Sequence, residues 1–477
     1  MIGLCYVLNR SKRLASVVNG RDLGVISVLA LTLLGAFVLP LAGGWLPAVQ
    51  ADDWPQWLGP QRDGVWREDG IVERFPASGL KVVWRTPIGG GYAGPAVAGK
   101  RVFVTDWRKN PDAREQANPF LRGDTPGYES VLCLDADTGK ILWQHRYPAR
   151  YRISYPAGPR CTPTVDGERV YTLGAMGHLL CLDVQSGRVI WSKELPAEYK
   201  CEVPLWGYAG HPLVDGNKLI TLAGGDGSLV VALDKFTGKE IWRALSAAEP
   251  GYCPPVIYEH AGVRQLIIWH PEAVESLDPE TGRVYWRQPF RVRSGLSIPM
   301  PRKLGDLLFV TAFYDGPMML RLDAQKPAAS VVWRGKSNSE KKTDGLHSII
   351  PTPVLKEGYI YGVCSYGQLR CLKADTGERV WETFAATTGE RPARWANAFL
   401  IPHRDRFFLF NEKGELILAQ LTPQGYKEIS RAKVIEPTGA AMGREVVWVH
   451  PAFAQRCMFV RNDKEIICVS LRAEDYR

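Results

Sequence analysis

The sequence has few of the residues that build metal sites, and it lacks the usual arrangements of those residues. Among 477 residues there are eight histidines and ten cysteines. No two cysteines are adjacent, no pair is spaced as C-x-x-C, and no histidines form H-E-x-x-H. Zinc sites and c-type haem attachment sites depend on such spacings, because their side chains must converge on one group. We therefore expect no metal site in this chain.

A strong excess of positive charge is also absent from most of the chain. The formal net charge is +9, and four basic residues and one acidic residue in the first 51 positions supply +3 of it, which leaves 9 − 3, or +6, for the rest. No dense Lys/Arg cluster of the kind that binds a phosphate backbone occurs. A nucleic-acid partner is not expected.

The first 51 residues have the pattern of a targeting segment. Basic residues come first, no charged residue occurs between Leu23 and Ala51, and the segment ends in the small-x-small triplet Val49–Ala51. This pattern predicts a cleaved secretory signal peptide over residues 1–51, and an uncleaved membrane anchor is the alternative. The apolar run is preceded by Cys5 and followed by no cysteine at the cleavage point, which argues against a lipid anchor there. We expect an exported protein of the periplasm or cell envelope.

The rest of the chain repeats one β unit. In Arg169–Leu195, three short apolar runs are separated by glycine-containing turns, which is the pattern of consecutive β-hairpins. Related units each end in a tryptophan strand, usually after an Asp-x-x-Thr-Gly turn, and successive tryptophans are 44 to 59 residues apart. The predicted structural blade tryptophans, each wedged between neighbouring blades, are Trp84, Trp143, Trp191, Trp242, Trp286, Trp333 and Trp381. A period of 40 to 50 residues with four short strands is typical of a β-propeller.

The two ends of the repeat array complement each other. The last unit, Cys457–Leu471, lacks a tryptophan strand, whereas Val82–Arg85 is such a strand with no unit before it. The prediction is an all-β fold: an eight-bladed propeller of four-stranded antiparallel blades over residues 80–477, closed by the N-terminal strand. Residues 52–79, with three tryptophans among Pro and Gly, are interpreted as an extended strap across the propeller.

The cysteines after residue 51 are nine in number, which is odd for an oxidising compartment. Four of them, Cys133, Cys181, Cys371 and Cys468, occupy the same strand position in their units. A small apolar side chain suits that buried position, so most of these residues are expected to be packed thiols. At most one or two disulfides are expected, with no pairing assigned.

The repeat motif and the lead-in together resemble a known family. The motif Leu-x-Cys/Ala-Leu-Asp-x-x-Thr-Gly-x-x-x-Trp resembles the PQQ-like repeat of quinoprotein alcohol dehydrogenases and of BamB-type assembly factors. The segment Trp54–Gly64 is similar to the lead-in of exported bacterial PQQ-like propellers. The resemblance covers about residues 53–471 and implies the propeller fold more strongly than any activity.

Binding is expected on one face of the propeller. The long connectors into the inner strands, and the insertion Trp107–Ser130, belong to the same face, and extra loops on a rigid scaffold are common binding sites. Arginines beside aromatic rings suit an anionic or planar ligand. The alternative is that the Trp and Tyr side chains fill the channel while the Arg and His side chains cap loop carbonyls. The candidate ligand rim is Arg160, Trp206, Tyr208, His211, Arg293, His347, Arg394, Trp395 and His450.

The sequence is compatible with three functions. The favoured one is a non-catalytic binding or assembly scaffold of the cell envelope, with another envelope protein or a small ligand at the rim. The resemblance also implies a PQQ- and calcium-dependent oxidoreductase, which requires adjacent cysteines and calcium-binding carboxylates. The channel connectors offer Asn397 and Glu249 but no acidic trio, so no cofactor is expected. The third is a small-ligand or carbohydrate-binding propeller.

Overall fold

The computed structural model describes residues 52–114, 116 and 118–477. The predicted leader lies outside the described residues. These residues form eight four-stranded antiparallel sheets, which confirms the predicted propeller. No helix in the described part of the chain combines the length and apolar character that a membrane span requires.

The blades are numbered 1 to 8 in chain order. The strands of blade 1 are Ala96–Ala98, Arg101–Lys109, Gly127–Asp135 and Ile141–Pro148, and those of blade 2 are Thr164–Asp166, Arg169–Leu173, His178–Asp183 and Val189–Glu194. The strands of blade 3 are Leu213–Asp215, Lys218–Leu222, Val230–Asp234 and Glu240–Ala244, and those of blade 4 are Val256–His260, Val263–His270, Ala273–Leu277 and Val284–Pro289. The strands of blade 5 are Arg302–Leu304, Leu307–Ala312, Gly316–Leu322 and Ala329–Arg334, and those of blade 6 are Val354–Lys356, Tyr359–Val363, Leu369–Lys373 and Arg379–Thr383. The strands of blade 7 are Ala398–His403, Arg406–Asn411, Glu415–Thr422 and Gly425–Lys433. Blade 8 consists of Ala452–Ala454, Cys457–Arg461, Glu465–Ser470 and the N-terminal strand Val82–Pro87.

Ring closure is achieved by the predicted strand. Val82–Pro87 pairs antiparallel with Glu465–Ser470, with Thr86 opposite Ile466 and Trp84 opposite Cys468. The first strand of the propeller therefore completes the last blade. Closure pairs the edge that Glu465–Ser470 would otherwise expose.

The sequence patterns placed the inner strands of blades 1 to 4 too early. In the sequence, the short proline-containing runs Ala93–Val97, Cys161–Val165, His211–Val214 and Pro254–Ile257 predict the inner strands. The observed strands begin two or three residues later, because the first residues of each run belong to the connector that enters the channel. Proline in these runs has no N–H for a ladder, which is compatible with the connector but not with the strand.

Some short elements were not predicted from the sequence. A two-stranded hairpin, Gly439–Ala441 with Arg444–Val446, lies between blades 7 and 8. The connector after blade 2 contains the helix Leu195–Tyr199, and 3₁₀ turns occur at Arg293–Gly295 and Ala473–Tyr476. All nine described cysteines are free thiols, and eight of them are buried.

The tryptophan of one blade contacts the turn between the last two strands of the next blade. Trp191 of blade 2, for example, donates its Nε1–H to the Lys235 carbonyl of blade 3 at 3.1 Å. Its ring also lies over Gly238 of the same turn. Five other indoles make the equivalent bond at 2.8 to 3.2 Å: Trp84, Trp143, Trp242, Trp333 and Trp381, to Ala136, Val184, Pro279, Ala374 and Thr422. Trp84 makes this contact from blade 8 to blade 1, across the closure.

Trp286 of blade 4 departs from this arrangement. Its Nε1–H donates to Gln265 Oε1 of its own blade at 2.8 Å instead of to blade 5. The turn of blade 5, at Asp323, has lost the Thr-Gly pair. The loss of Thr-Gly does not explain the exception by itself, because Trp381 keeps its bond to blade 7, whose turn also lacks that pair.

The aspartates that begin these turns are also arranged alike. Asp234 Oδ1 accepts hydrogen bonds from Phe236 N, Thr237 N and Thr237 Oγ1 at 2.7 to 3.1 Å. Asp135 and Asp183 accept the equivalent three bonds. Because these donors favour the charged form, the pKa of each of the three carboxyl groups is lowered.

The N-terminal segment, residues 52–79, crosses one end of the central channel, and we call it the strap. Trp54 exchanges two backbone hydrogen bonds of 2.9 Å with Val97 of blade 1. Arg302 of blade 5, which lies opposite blade 1 in the ring, donates to the Asp63 carbonyl of the strap at 2.8 Å, and Trp66 N donates to the Pro402 carbonyl of blade 7 at 2.9 Å. Trp54, Trp57 and Trp66 are all buried. The end of the channel that the strap crosses is the one opposite the long connectors.

We predict that the contact between blades can be measured with two glycines of nearly equal backbone angle. Gly238 and Gly262 have φ of +71° and +70°, but a Cβ at Gly238 would lie 2.8 Å from the Trp191 ring, whereas Gly262 has no atom within 4 Å. Both Gly→Ala variants should lose about 1 kcal/mol through backbone strain. Gly238→Ala should lose at least about 1 kcal/mol more, because the Trp191 ring must shift.

Urea unfolding of both variants measures the difference, with Gly262→Ala as the matched control. Equal losses of stability in the two variants would show that Trp191 does not pack on the neighbouring blade as described.

Candidate functional site

A cavity of about 210 Å³ occupies the central channel on the side of the long connectors. Its walls are mainly apolar and aromatic, and the connectors of several blades contribute to them. The lining residues are Trp57, Tyr92, Gly94, Tyr155, Arg160, Thr162, Trp206, Ala209, His211, Tyr252, Pro254, Leu296, Ile298, Ile349, Ile350, Thr352, Trp395, Phe399, Trp448 and His450. Apolar walls with a few polar groups are typical of small-molecule sites.

The strap provides the floor of this cavity. The Trp57 indole stacks on the His211 ring with the centroids 4.7 Å apart and 10° between the planes. The His450 ring meets the same indole edge-on at 6.3 Å. The propeller channel is thereby converted from a through-hole into a blind cavity.

A buried cation fixes the strap beneath that floor. Arg62 donates to the carbonyls of His211, Pro212 and Pro255 and to Gln56 Oε1, at 3.0 to 3.3 Å. These acceptors are all neutral, and burial lowers the pKa of Arg62 to about 10. The bonds tie the strap to the connectors that lead into blades 3 and 4.

The two floor histidines have opposite tautomers. His211 Nδ1 accepts the Thr162 backbone N–H at 2.9 Å, so the ring proton of a neutral His211 is on Nε2. His450 Nδ1 lies 2.8 Å from the Pro451 carbonyl and must donate to it, which leaves Nε2 with a lone pair. Burial lowers the pKa of His450 to about 4 and that of His211 well below its usual value. Both rings are therefore neutral at pH 7.

Three aromatic residues meet at the mouth. Phe120, from the insertion in blade 1, packs edge-on against Tyr155 at 5.3 Å, and its ring is tilted by 52° against Trp395 at 5.8 Å. Tyr155 and Trp395 have left-handed backbones, with φ of 50° and 65°. Such angles are costly for residues with a side chain, and strain of this kind is concentrated at functional sites. The Trp395 Nε1 is also buried without a hydrogen-bond partner in the described chain.

The one arginine that lines the cavity is held by its own loop. Arg160 donates to the carbonyls of Ser154, Tyr155 and Gly158, and its guanidinium lies 5.1 Å above the Tyr92 ring. It gives the wall a positive charge, but most of its donors are already used for loop carbonyls.

Five of the nine predicted rim residues line the cavity: Arg160, Trp206, His211, Trp395 and His450. Arg394 and Arg293 lie beside the cavity without lining it, and both contact Tyr314. Arg394 donates to the Tyr314 hydroxyl at 3.0 Å, and the Arg293 guanidinium is 4.7 Å from the Tyr314 ring centroid. These two arginines therefore belong to the face around the mouth.

Tyr208 and His347 do not line the cavity. The Tyr208 hydroxyl donates to the Ala223 carbonyl at 2.7 Å, within a cluster of buried side chains between blades. His347 is fully buried, with Nδ1 3.3 Å from the Phe313 carbonyl and Nε2 3.3 Å from Asp344 Oδ1. Their position on channel connectors predicted that they lay near the channel, but the direction of a side chain on an irregular connector has no sequence period.

Sequence reasoning missed several residues that shape the cavity. Trp57 was assigned to the strap rather than to the site, and Tyr92, Tyr252 and Trp448 were not selected. Tyr252 and Trp448 each come shortly before a predicted or observed inner strand, as Trp206 and Trp395 do. An aromatic residue shortly before an inner strand was therefore the sequence signal that could have predicted Tyr252 and Trp448 as cavity residues. The contribution of Trp57 could not be read, because it depends on the path of an irregular segment.

The cavity residues do not fit a calcium-held quinone. No Asp or Glu lines the cavity, whereas calcium is bound by oxygen ligands that include carboxylates. The Asn397 amide donates to the Trp395 carbonyl at 3.1 Å, and Glu249 is not among the lining residues. Among the described residues, no three His, Cys, Asp or Glu side chains are grouped so that they could hold a metal.

Comparison with protein families decides the classification. The family model described as outer membrane protein assembly factor BamB matches residues 68–242 and 230–473. The chain belongs to this family of PQQ-repeat propellers. No curated protein matches the chain in sequence.

Solved structures share the fold at low sequence identity. Quinohemoprotein alcohol dehydrogenase from Comamonas testosteroni is 13% identical with a TM-score of 0.56, over 88% of this chain and 80% of that one. The enzyme ADHIIG from Pseudomonas putida HK5 is 12% identical with a TM-score of 0.55, over the same shares. BamB from Moraxella catarrhalis is 16% identical with a TM-score of 0.47, over 77% and 97%. At such identities the likeness shows the fold alone.

We predict that the free energy of unfolding depends on pH through His450 in the floor of the cavity. Because the pKa of His450 is lowered to about 4, the unfolded chain binds a proton below about pH 6.5 that the folded chain does not. Stability is therefore unaffected by this group above pH 6.5 and is lost as the pH falls toward 4. The loss should approach about 3 kcal/mol.

His450→Asn removes this group and retains a side-chain amide that can donate to the Pro451 carbonyl. The free energy of unfolding, measured from pH 7 to pH 4 by urea titration, should therefore fall more steeply in the wild type than in the variant. Parallel curves would show that His450 is not buried as a neutral base.

Proposed function

We propose that this protein is a non-catalytic binding scaffold of the cell envelope. Its cavity holds an aromatic or apolar group, which either belongs to a small molecule or is presented by a partner protein. The blind cavity carries the proposal: Trp57 closes one end, aromatic side chains surround the mouth, and no carboxylate lines the walls.

The energetic basis for binding is the apolar surface that a ligand would bury. A flat aromatic group can pack between the walls and against the Trp57 indole, where aromatic pairs gain about 0.5–1.5 kcal/mol beyond the burial of area. The walls are held by connectors that are themselves bonded to the propeller, so little ordering cost remains for the ligand to offset.

Two further observations support an envelope role. The family model that matches the chain is described as an outer membrane assembly factor, and residues 1–51 have the sequence pattern of a secretory signal. Binding of another envelope protein is consistent with both. The side chains around the mouth, among them Arg293, Arg394 and the exposed Leu121, supply a surface for such a partner.

The fold does not argue against an oxidoreductase, because quinohemoprotein enzymes share it. The argument against an oxidoreductase comes from the side chains that would have to bind calcium and the quinone. The cavity has no carboxylates for calcium, and the sequence has no adjacent cysteines to cover a quinone. Purified protein supplied with PQQ, calcium and a primary alcohol should therefore give no dye reduction. Sustained reduction of the dye under these conditions would contradict the scaffold proposal and would show that the protein is an enzyme.

The binding proposal predicts a cavity-dependent affinity for aromatic probes. Calorimetric titration with 2-methylnaphthalene, 2-naphthamide and 2-naphthoate should detect one site per chain for at least one of the three. Ala209→Trp should abolish binding, because Ala209 lines the cavity and an indole there would fill it. Ala248→Trp, on the exposed part of a neighbouring connector, is the matched control and should bind normally.

Capture from an envelope extract distinguishes the two sources of the ligand. A protein retained by the wild type and by Ala248→Trp but not by Ala209→Trp would be a partner that inserts a side chain. A small molecule extracted from the wild type and from Ala248→Trp but not from Ala209→Trp would be a free ligand. If none of the three probes binds, the proposed function is wrong.

A further inference from the structure

The floor of the cavity offers a neutral donor and a neutral acceptor, both next to the Trp57 indole. His211 and His450 both line the cavity and both contact the Trp57 indole. Their Nδ1 atoms are used by the Thr162 N–H and the Pro451 carbonyl. No described residue bonds to either Nε2. His211 Nε2–H is therefore a free donor, and His450 Nε2 is a free acceptor.

Thr162 adds a third polar group next to His211. It lines the cavity, is only 2% exposed, and its Oγ1 has no hydrogen-bond partner in the described chain. A buried hydroxyl without a partner costs free energy unless a ligand or water satisfies it. Its backbone N–H bonds to His211, so the hydroxyl and the His211 ring are neighbours.

No acidic side chain lines the floor, and neither histidine there is charged at pH 7. Two arginines lie near the floor: Arg62 is behind Trp57 with its guanidinium carbon 6.0 Å from the indole centroid, and Arg160 is bonded to loop carbonyls. An anionic group on the floor would lose its hydration without gaining a direct ion pair. A purely apolar group would leave the three polar atoms without partners.

We propose that the cavity selects an uncharged aromatic ligand whose inner end both accepts and donates a hydrogen bond, such as a carboxamide or a hydroxyl. The ligand's acceptor bonds to His211 Nε2–H, its donor bonds to His450 Nε2, and Thr162 Oγ1 completes the site. The ring system lies against Trp57 and the aromatic walls. This inference rests on the proposed function and specifies the chemical class of its ligand.

Three probes of one shape test the selectivity. 2-Naphthamide has the neutral donor and acceptor, 2-naphthoate has a charged acceptor only, and 2-methylnaphthalene has neither. In calorimetric titrations at pH 7, 2-naphthamide should bind at least about tenfold more tightly than either of the others. Equal affinity for all three, or tighter binding of 2-naphthoate, would overturn the inference while leaving the proposed function intact. Absence of binding by every probe would overturn both.

Asparagine substitutions separate the two ring nitrogens. Asn can replace the Nδ1 bond of either histidine, through Oδ1 at position 211 or Nδ2 at position 450, but it lacks the outer Nε2. His211→Asn and His450→Asn should each weaken 2-naphthamide about tenfold and leave 2-methylnaphthalene within twofold. His403→Asn is the matched control, because His403 is also buried and bonded through Nδ1, to the Trp66 carbonyl, outside the cavity.

The control should bind 2-naphthamide as the wild type does. Unchanged 2-naphthamide affinity in both cavity variants would show that the histidines do not contact the ligand. An equal loss for 2-naphthamide and 2-methylnaphthalene would show that the substitutions change only the shape of the cavity. Either result would overturn the inference.

Discussion

The pairing of Val82–Pro87 with Glu465–Ser470 is the constraint on which the rest of the structure depends. It joins residues almost 400 positions apart and completes the blade that the C-terminal strands leave unfinished. Trp84 extends the effect, because its indole donates to Ala136 and so connects blade 8 to blade 1. With the ring closed, every inner strand has a fixed distance from the axis. The strap, which immediately precedes this strand, is then directed beneath the channel.

The fold could be predicted from the sequence where a local motif was repeated. The spacing of the tryptophans and the unpaired Val82–Arg85 run were enough to predict eight blades and their closure. The Trp286 exception shows the limit: its turn partner was visibly altered, but the choice of Gln265 as a new acceptor depends on side-chain geometry. Inner strands were misplaced for a related reason, because an apolar run does not show where the ladder begins.

The candidate site was predictable only as a region. Long connectors on one face indicated where the cavity would be, and five of the selected side chains line it. Tyr208 and His347 turn away into buried clusters, since irregular backbone has no period from which direction can be inferred. Trp57 was missed for the opposite reason. It lies in an irregular segment outside the repeats, so no sequence pattern predicted that it forms the floor of the cavity. The charge of the cavity could not be read from the sequence either, because burial lowers the pKa of the selected residues His211 and His450 and keeps both rings neutral at pH 7.

The first described residues of the chain therefore have two structural roles: the strand Val82–Pro87 closes the ring, and the strap before it closes one end of the channel. Hydrogen–deuterium exchange measured by mass spectrometry tests both at once. Peptides covering Trp54–Trp66 and Val82–Pro87 should exchange as slowly as the paired strand Glu465–Ser470, because their bonded amides are buried or laddered. Exchange of either segment as fast as the exposed connector at Lys341–Lys342 would contradict the closed ring and the blind cavity that depends on it.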